Sequence, residues 1–219
     1  MTNHTVESLL AFSERVKAAY LDKKIRSPVH FCSDTQAEPL IDIFKEVRPH
    51  DYVCSNWRSM WHALLKGIPE EEVFRQILEG RSMYLMSKEH RFLASSIVGG
   101  MLPTACGLAM GIKQWRIDRL PAEDRGKSFE YDKYEETDPR VWVFVGDMTR
   151  TTGLFHEFNK YSFGHRLPIR IVIESNCLST NAKTRETWGD YPFNEPGMKQ
   201  FYQYERTTPH VGLSQRVNF

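Results

Sequence analysis

Two short, almost uninterrupted apolar runs constrain the fold of this chain more than any other feature. The runs are "VWVFV" (residues 141–145) and "IRIVI" (residues 169–173), and the segment between them, "TGLFHEFNKYSF", reads as a helix. Strands that are apolar on both faces are typical of a parallel sheet with helices on each side. The order strand, helix, strand indicates a βαβ unit with a right-handed crossover. We therefore predict an α/β fold built on a parallel sheet with helices on both faces.

A carboxylate and a carboxamide follow these two predicted strands. Asp147 comes soon after the first run, and Asn176 comes soon after the second. If the strands are neighbours, both residues lie at the carboxyl edge of the sheet, where open α/β sheets bind ligands. Oxygen ligands suit Mg²⁺, and the helix that follows Asp147 offers free N–H groups to a phosphate. From spacing alone, a helix cap at Asp147 and a turn at Asn176 are equally open readings.

The rest of the chain is consistent with one module over residues 1–219. Helical spacing predicts helices over about 5–24, 70–80 and 103–116, the last rich in Ala and Gly. Residues 117–139 are charged and aperiodic, which indicates an inserted, solvated loop. The tail, residues 187–219, contains aromatic residues, Pro and Gly in no recognisable pattern and stays unassigned.

Composition argues against several classes of protein. A net charge of +1 gives no electrostatic reason to expect nucleic acid or an anionic membrane as a partner. No apolar run approaches the roughly 18 residues that a transmembrane helix requires, and the N-terminus does not read as a signal peptide. The four cysteines are too scattered for a disulfide framework or a zinc site. We expect a cytoplasmic protein.

Several motifs, taken together, resemble a known family. "GDM" (residues 146–148) and the later "ESN" (residues 174–176) resemble the two halves of the thiamine diphosphate signature. The segments "SSIVGGMLPTACGLAMGIK" and "NWRSMWHALLKGIP" resemble two further family stretches, in the family's order. Four residues between the two halves also fall at the family's offsets: Gly153, Glu157, Leu167 and Pro168. Over about residues 25–186 the chain is thus similar to the alpha subunit of the decarboxylating component of 2-oxo acid dehydrogenases, including the pyruvate and acetoin enzymes.

This resemblance implies the thiamine diphosphate-binding fold, here its diphosphate-binding module, and a set of site residues. The Asp147 carboxylate, the Asn176 side chain and the backbone carbonyl of Leu178 would ligate Mg²⁺. The diphosphate would contact Gly146, the backbone of Met148 and Thr149, and the guanidinium group of Arg58.

The remaining implied residues concern the rings of the cofactor. Backbone groups near Ser96 and Val98 would meet the aminopyrimidine, and His62 would lie near the thiazolium as a catalytic residue. For Arg58 and His62 the residues themselves leave alternatives open: a surface salt bridge and a packed, hydrogen-bonded imidazole. His210 is an unexplained candidate.

The function that the resemblance implies is thiamine diphosphate- and Mg²⁺-dependent decarboxylation or dehydrogenation of a small 2-oxo acid. The chain would act as the alpha-like subunit of a two-chain enzyme, a self-associating heterotetramer. A beta-like subunit would carry the pyrimidine-binding module and its activating glutamate. The alternatives are a split thiamine-dependent carboligase or decarboxylase, and a non-catalytic subunit that retains the fold.

Several positions depart from the family pattern, and three of them concern the motifs quoted above. Met148 stands in place of a glycine, Ser175 in place of an asparagine and Met60 in place of a histidine. A positive φ at Met148 would carry strain, because only glycine adopts that conformation freely. Met148, Met60 and the short tail motivate the alternative of a non-catalytic subunit.

Overall fold

The computed structural model describes residues 4–125, 137–190 and 198–214. The strands are β1 (Tyr52–Ser55), β2 (Met86–Ser87), β3 (Phe92–Ala94), β4 (Val141–Gly146), β5 (Ile169–Ser175), β6 (Leu178–Ser179), β7 (Ala182–Lys183) and β8 (Met198–Gln203). The α-helices are α1 (Val6–Leu21), α2 (Ala37–Phe44), α3 (Met60–Leu65), α4 (Glu70–Leu78), α5 (Met101–Asp118), α6 (Asp147–Arg150), α7 (Gly153–Gly164) and α8 (Thr184–Trp188).

A six-stranded sheet forms the centre of the protein, in the order β2-β3-β1-β4-β5-β8. Its strands are parallel except β2, which pairs with β3 in the antiparallel sense. The β4–β5 pairs run from Val141 opposite Ile169 to Gly146 opposite Glu174, and α7 forms the crossover between these strands. The predicted βαβ unit and the α/β fold are therefore confirmed.

Both faces of the sheet are covered by helices. Trp142, Phe144 and Val172 belong to a core shared with α1 to α4. On the other face, Val143 and Ile171 belong to a second core that includes residues of α5 and α7. Successive residues of a strand point to opposite faces, so a strand buried on both faces needs a nearly continuous apolar sequence. This explains the two apolar runs.

Small residues of α5 face the sheet. Ala105 and Ala109 have no exposed surface and lie one helical turn apart in the core formed with β4. A methyl group at each of these positions lets the helix backbone approach the strand closely. The Ala-rich sequence of this helix thus serves packing on the sheet.

Several predicted boundaries need correction. The first helix ends at Leu21 rather than at residue 24, and α4 ends at Leu78. The small-residue helix is longer than predicted at both ends and runs from Met101 to Asp118. The charged loop therefore begins two residues later in the chain than predicted. Residues 126–136 of that loop, and 191–197 and 215–219 of the tail, lie outside the described residues.

The described part of the tail completes the sheet. β8 adds a sixth strand beside β5, and the chain after it runs along residues 29–35. The N–H of Gly212 donates to the carbonyl of Val29 at 2.8 Å, and the N–H of Thr207 donates to Ser33 Oγ at 3.2 Å. This segment, which the sequence left unassigned, is part of the fold.

In the three described ranges, no helix is both long and apolar enough to cross a membrane.

Candidate functional site

A cavity of about 270 Å³ lies where β4 and β5 end, at the carboxyl edge of the sheet. This size is near the lower end for small-molecule sites, roughly 300 Å³. Every candidate residue from the sequence except His62 lines this cavity. Those residues are Arg58, Ser96, Val98, Gly146, Asp147, Met148, Thr149, Asn176 and Leu178.

Asp147 begins α6 immediately after β4 and is almost fully buried. Its Oδ2 accepts a hydrogen bond from Thr184 Oγ1 at 2.5 Å. Burial raises the pKa of the Asp147 carboxyl, although the bond from Thr184 and neighbouring backbone N–H groups oppose that effect. Among the described residues, no Lys, Arg or His side chain pairs with this carboxylate. A buried carboxylate without a cationic partner fits a metal ion.

Asn176 lies just beyond the end of β5, and its side chain is held from two sides. Its Oδ1 accepts the N–H of Leu178 at 2.9 Å, and its Nδ2 donates to the Tyr204 hydroxyl at 2.9 Å. Cys177 between them has a φ of 58°, which turns the chain back so that Leu178 reaches the cavity. Asn176 and Leu178, two of the three predicted ligands, therefore flank one tight turn.

The chemistry of this set fits a hard cation. The described residues contain no cluster of three or more His, Cys, Asp or Glu side chains that could hold a metal. A single carboxylate, a carboxamide and a backbone carbonyl are instead the kind of ligands with which Mg²⁺ is bound, with phosphate and water completing its shell. The residues present therefore fit Mg²⁺ together with a phosphorylated cofactor.

Met148 adopts a helical conformation within α6 and has no positive φ. Its sulfur contacts Trp188 Nε1 at 3.1 Å and Thr151 Oγ1 at 3.7 Å. The replacement of a glycine at this position therefore introduces no strain of the left-handed kind.

Arg58 is buried at the cavity wall and is not a surface ion pair. Its Nε donates to the carbonyl of Phe31 at 2.9 Å, and its Nη2 donates to the carbonyl of His210 at 3.4 Å. Its backbone N–H donates to Asn56 Oδ1 at 2.8 Å. These bonds fix the guanidinium beside the cavity, where its fork can bind an anion.

His62 is placed differently from the expectation that its ring lies beside the cofactor. The side chain is fully buried and does not line the cavity, and its ring centroid lies 4.4 Å from that of Phe144 in a tilted arrangement. Its Nδ1 lies 2.6 Å from Ser55 Oγ, and its Nε2 lies 3.1 Å from Glu174 Oε1. All six residues of α3 are buried, and the contacts of His62 with Ser55 of β1 and Phe144 of β4 show that its side chain faces the sheet. The geometry is that of a packed, hydrogen-bonded imidazole.

Glu174, which sequence reasoning missed, lines the cavity and links His62 to it. Its Oε2 accepts from Asn56 Nδ2 at 2.7 Å, and its Oε1 accepts from the Tyr202 hydroxyl at 2.5 Å. Burial alone would raise the pKa of this carboxyl, but the charge and hydrogen bond of His62 and the other two donors lower it. An acid at the end of an apolar strand was the signal that could have pointed to this residue.

Three aromatic rings form another wall of the cavity. The rings of His30 and His210 lie 4.9 Å apart, and Trp57 lies 6.0 Å from His30. Burial, together with the charge of Arg58, lowers the pKa of His30 to about 3. Among the described side chains, the buried His30 Nδ1 and Trp57 Nε1 have no hydrogen-bond partner. His210, the unexplained candidate, thus belongs to the cavity.

The rim of the cavity is apolar and exposed. Val98 is 53% exposed and the adjacent Ile97 is 71% exposed, and Ser96 is exposed beside them. Gly99 follows with a φ of 72°, and a Cβ there would lie 3.0 Å from Leu154 Cδ2. The turn therefore needs glycine, and it leaves the two apolar side chains at the mouth of the cavity.

Comparison with known proteins finds relatives of this chain. Two curated relatives are each 27% identical to the chain and cover 75% of it. They are the alpha subunit of the pyruvate dehydrogenase E1 component from Porphyra purpurea and the chloroplastic alpha-3 subunit of the same component from Oryza sativa subsp. japonica. The chain spans 47% and 38% of their respective lengths, less than half of each.

A solved structure and a protein family match as well. Transketolase from Leishmania mexicana superposes on 88% of this chain and 30% of its own, with a TM-score of 0.52 and 15% identity, which supports the fold alone. Residues 5–192 match the family described as dehydrogenase E1 component. Because this match spans most of the chain, the protein belongs to the dehydrogenase E1 component family.

Proposed function

We propose that the chain is the alpha-like subunit of a two-chain enzyme that uses thiamine diphosphate and Mg²⁺ to decarboxylate a small 2-oxo acid. The observation that carries this proposal is the cavity, which brings together Asp147, Asn176, Leu178 and Arg58 from distant parts of the chain. Family membership supports the same cofactor, since the relatives are pyruvate dehydrogenase subunits by name.

In this proposal each residue has a defined task. Asp147, Asn176 and the Leu178 carbonyl hold Mg²⁺, while Met148 and Thr149 meet the diphosphate. Arg58 adds a fixed positive charge to the same end of the cavity. Thiamine diphosphate, when bound, supplies the electron sink for the carbanion that decarboxylation leaves. His62 acts through Glu174 as a positioning residue, because its ring does not reach the cavity.

The partner would be a beta-like subunit that covers the mouth of the cavity and supplies the activating glutamate. The exposed Ile97 and Val98 support this, because apolar side chains at a cavity rim are typical of a surface that a partner buries. We propose a heterotetramer for the assembled enzyme. The cytoplasmic location stays a prediction.

A split carboligase or decarboxylase would use the same cavity and differ in the acceptor of the intermediate. The non-catalytic alternative is motivated by Met148, by Met60 and by the short tail, and the structure bears on the first of these. The helical backbone at Met148 removes the argument from strain.

Calorimetric titration with thiamine diphosphate and Mg²⁺ tests the proposal, with and without a co-expressed beta-like chain. We expect Asp147→Ala to weaken Mg²⁺-dependent binding by more than about 100-fold, because it removes a ligand rather than a residue behind one. The exposed Asp42→Ala, which loses only a surface pair with Lys45, is the matched control and keeps the affinity. Failure of the unaltered protein to bind in both settings would exclude the proposed cofactor.

A further inference from the structure

Part of the candidate site comes from a segment beyond the family match. The match ends at residue 192, yet Tyr204 and His210 line the cavity. Tyr202, also beyond the match, donates to Glu174 from behind the cavity wall. The segment from β8 onwards therefore contributes side chains that family membership does not explain.

Tyr204 is held in place by the strand that precedes it. Its N–H donates to the carbonyl of Ser175 at 2.8 Å, which continues the β5–β8 ladder by one residue. The following residue, Glu205, exchanges two hydrogen bonds with the Thr35 hydroxyl, at 2.8 and 3.1 Å. Because the ladder ends beside Ser175, the phenol lies next to Asn176.

Contacts with Leu178 and Tyr204 hold the Asn176 carboxamide from both ends. The Leu178 N–H can only donate and therefore selects Oδ1, which leaves Nδ2 for the phenol. Oδ1 accepts from Leu178 with one of its two lone pairs. The second lone pair of Oδ1 remains for a cation. If the carboxamide turned over, it would present an N–H group, which repels a cation.

We propose that Tyr204 is a positioning residue of the metal site: by accepting from Nδ2, it anchors the Asn176 carboxamide in the orientation that Leu178 selects, with Oδ1 available to the cation. This inference rests on the proposed function, since it assumes that Asn176 ligates Mg²⁺. It adds a residue from outside the family match to the site.

Manganese binding in the presence of thiamine diphosphate, followed by electron paramagnetic resonance, tests the inference. Tyr204→Phe keeps the ring and removes only the hydroxyl. We expect its Mn²⁺ affinity to fall about tenfold, as is typical when a residue that orients a metal ligand is lost. Tyr20→Phe, a buried tyrosine on α1 outside the cavity lining, is the matched control and keeps the affinity of the unaltered protein.

A double-mutant cycle separates positioning from a general loss of stability. If Tyr204 acts through Asn176, the variant that combines Tyr204→Phe with Asn176→Ala binds Mn²⁺ no more weakly than Asn176→Ala alone. Additive losses would overturn the inference, as would unchanged affinity in Tyr204→Phe. If the unaltered protein fails to bind Mn²⁺ with thiamine diphosphate, the proposed function fails and the inference fails with it. Thermal unfolding of each variant shows whether the protein tested is folded.

Discussion

Two buried carboxylates stand at opposite edges of the same sheet. Asp51 precedes β1 at the amino edge, and Glu174 lies near the end of β5 at the carboxyl edge. Asp51 accepts from the N–H and guanidinium of Arg48, from the N–H of Arg140 and from Trp142 Nε1. Glu174 accepts from side chains alone: Asn56, His62 and Tyr202.

The difference between them lies in what surrounds each carboxylate. Asp51 has no exposed surface and accepts from two backbone N–H groups, so it joins the starts of β1 and β4. Glu174 borders the cavity, and its donor Asn56 also accepts the N–H of Arg58. Two carboxylates of similar burial therefore have different surroundings: backbone and core at one edge of the sheet, and the wall of the candidate site at the other.

The largest effect that this comparison predicts concerns the amino edge. Asp51→Ala leaves the donors of Arg140 and Trp142 unpaired and removes the partner of Arg48, so the free energy of unfolding should fall by about 4 kcal/mol. Urea denaturation measures this change. The Mn²⁺ affinity of the folded variant should stay the same. A marked loss of affinity would contradict the claim that Asp51 contributes to stability alone.

Glu174→Gln should affect both stability and binding. Whichever way the new amide faces, its N–H₂ meets a group that donates in the unaltered protein: Asn56 Nδ2, the neighbour of Arg58, on one side, or Tyr202 and His62 on the other. We expect Mn²⁺–thiamine diphosphate affinity to fall about tenfold and the free energy of unfolding to fall by about 2 kcal/mol. Calorimetry and urea denaturation on one preparation would show the two effects. A change in stability alone would make Glu174 equivalent to Asp51.

The smallest predicted effect concerns acid. Burial alone would raise the pKa of Asp51, but its hydrogen bonds from Arg48, Arg140 and Trp142 lower it below the ordinary value of 3.8. A carboxyl with a lowered folded-state pKa stabilises the protein above its unfolded-state pKa, and this stabilisation is lost as the pH falls through the folded value. The difference in unfolding free energy between the unaltered protein and Asp51→Asn should stay constant from about pH 7 to pH 5 and shrink below about pH 4. A difference that grows below pH 4 would contradict the assigned direction.

The elements with strong local patterns were predictable from the sequence. β4 and β5 carry uninterrupted apolar residues because helices cover both of their faces, and the polar residues that follow them fall at the shared edge. β8 could not be recognised, because a short strand with the sequence "MKQFYQ" has no comparable apolar run. Its place in the sheet depends on β5, a tertiary contact that no local pattern encodes.

The same limit applies within the site. Asp147 and Asn176 follow from strand order, whereas the positions of His62 and Tyr204 depend on which side chains meet across the core. A histidine within "WHALL" gives no sign of whether its ring reaches a cavity or a carboxylate. The Glu174 network decided that question, and its members come from β1, α3, β5 and β8 or the residues that follow them.

The bonds between the two ends of the chain also have a consequence for biosynthesis. Thr35 and Glu205 are 170 residues apart, and Ser33 and Thr207 are 174 residues apart. Contacts over such separations form late, because the entropy of closing a long loop must be overcome first. During synthesis on the ribosome, residues 29–35 therefore cannot form their hydrogen bonds with Glu205, Thr207 and Gly212 until the chain after β8 has left the exit tunnel. Until then Asn176 lacks its contact with Tyr204, so a nascent chain can hold most of the sheet without the complete wall of the cavity.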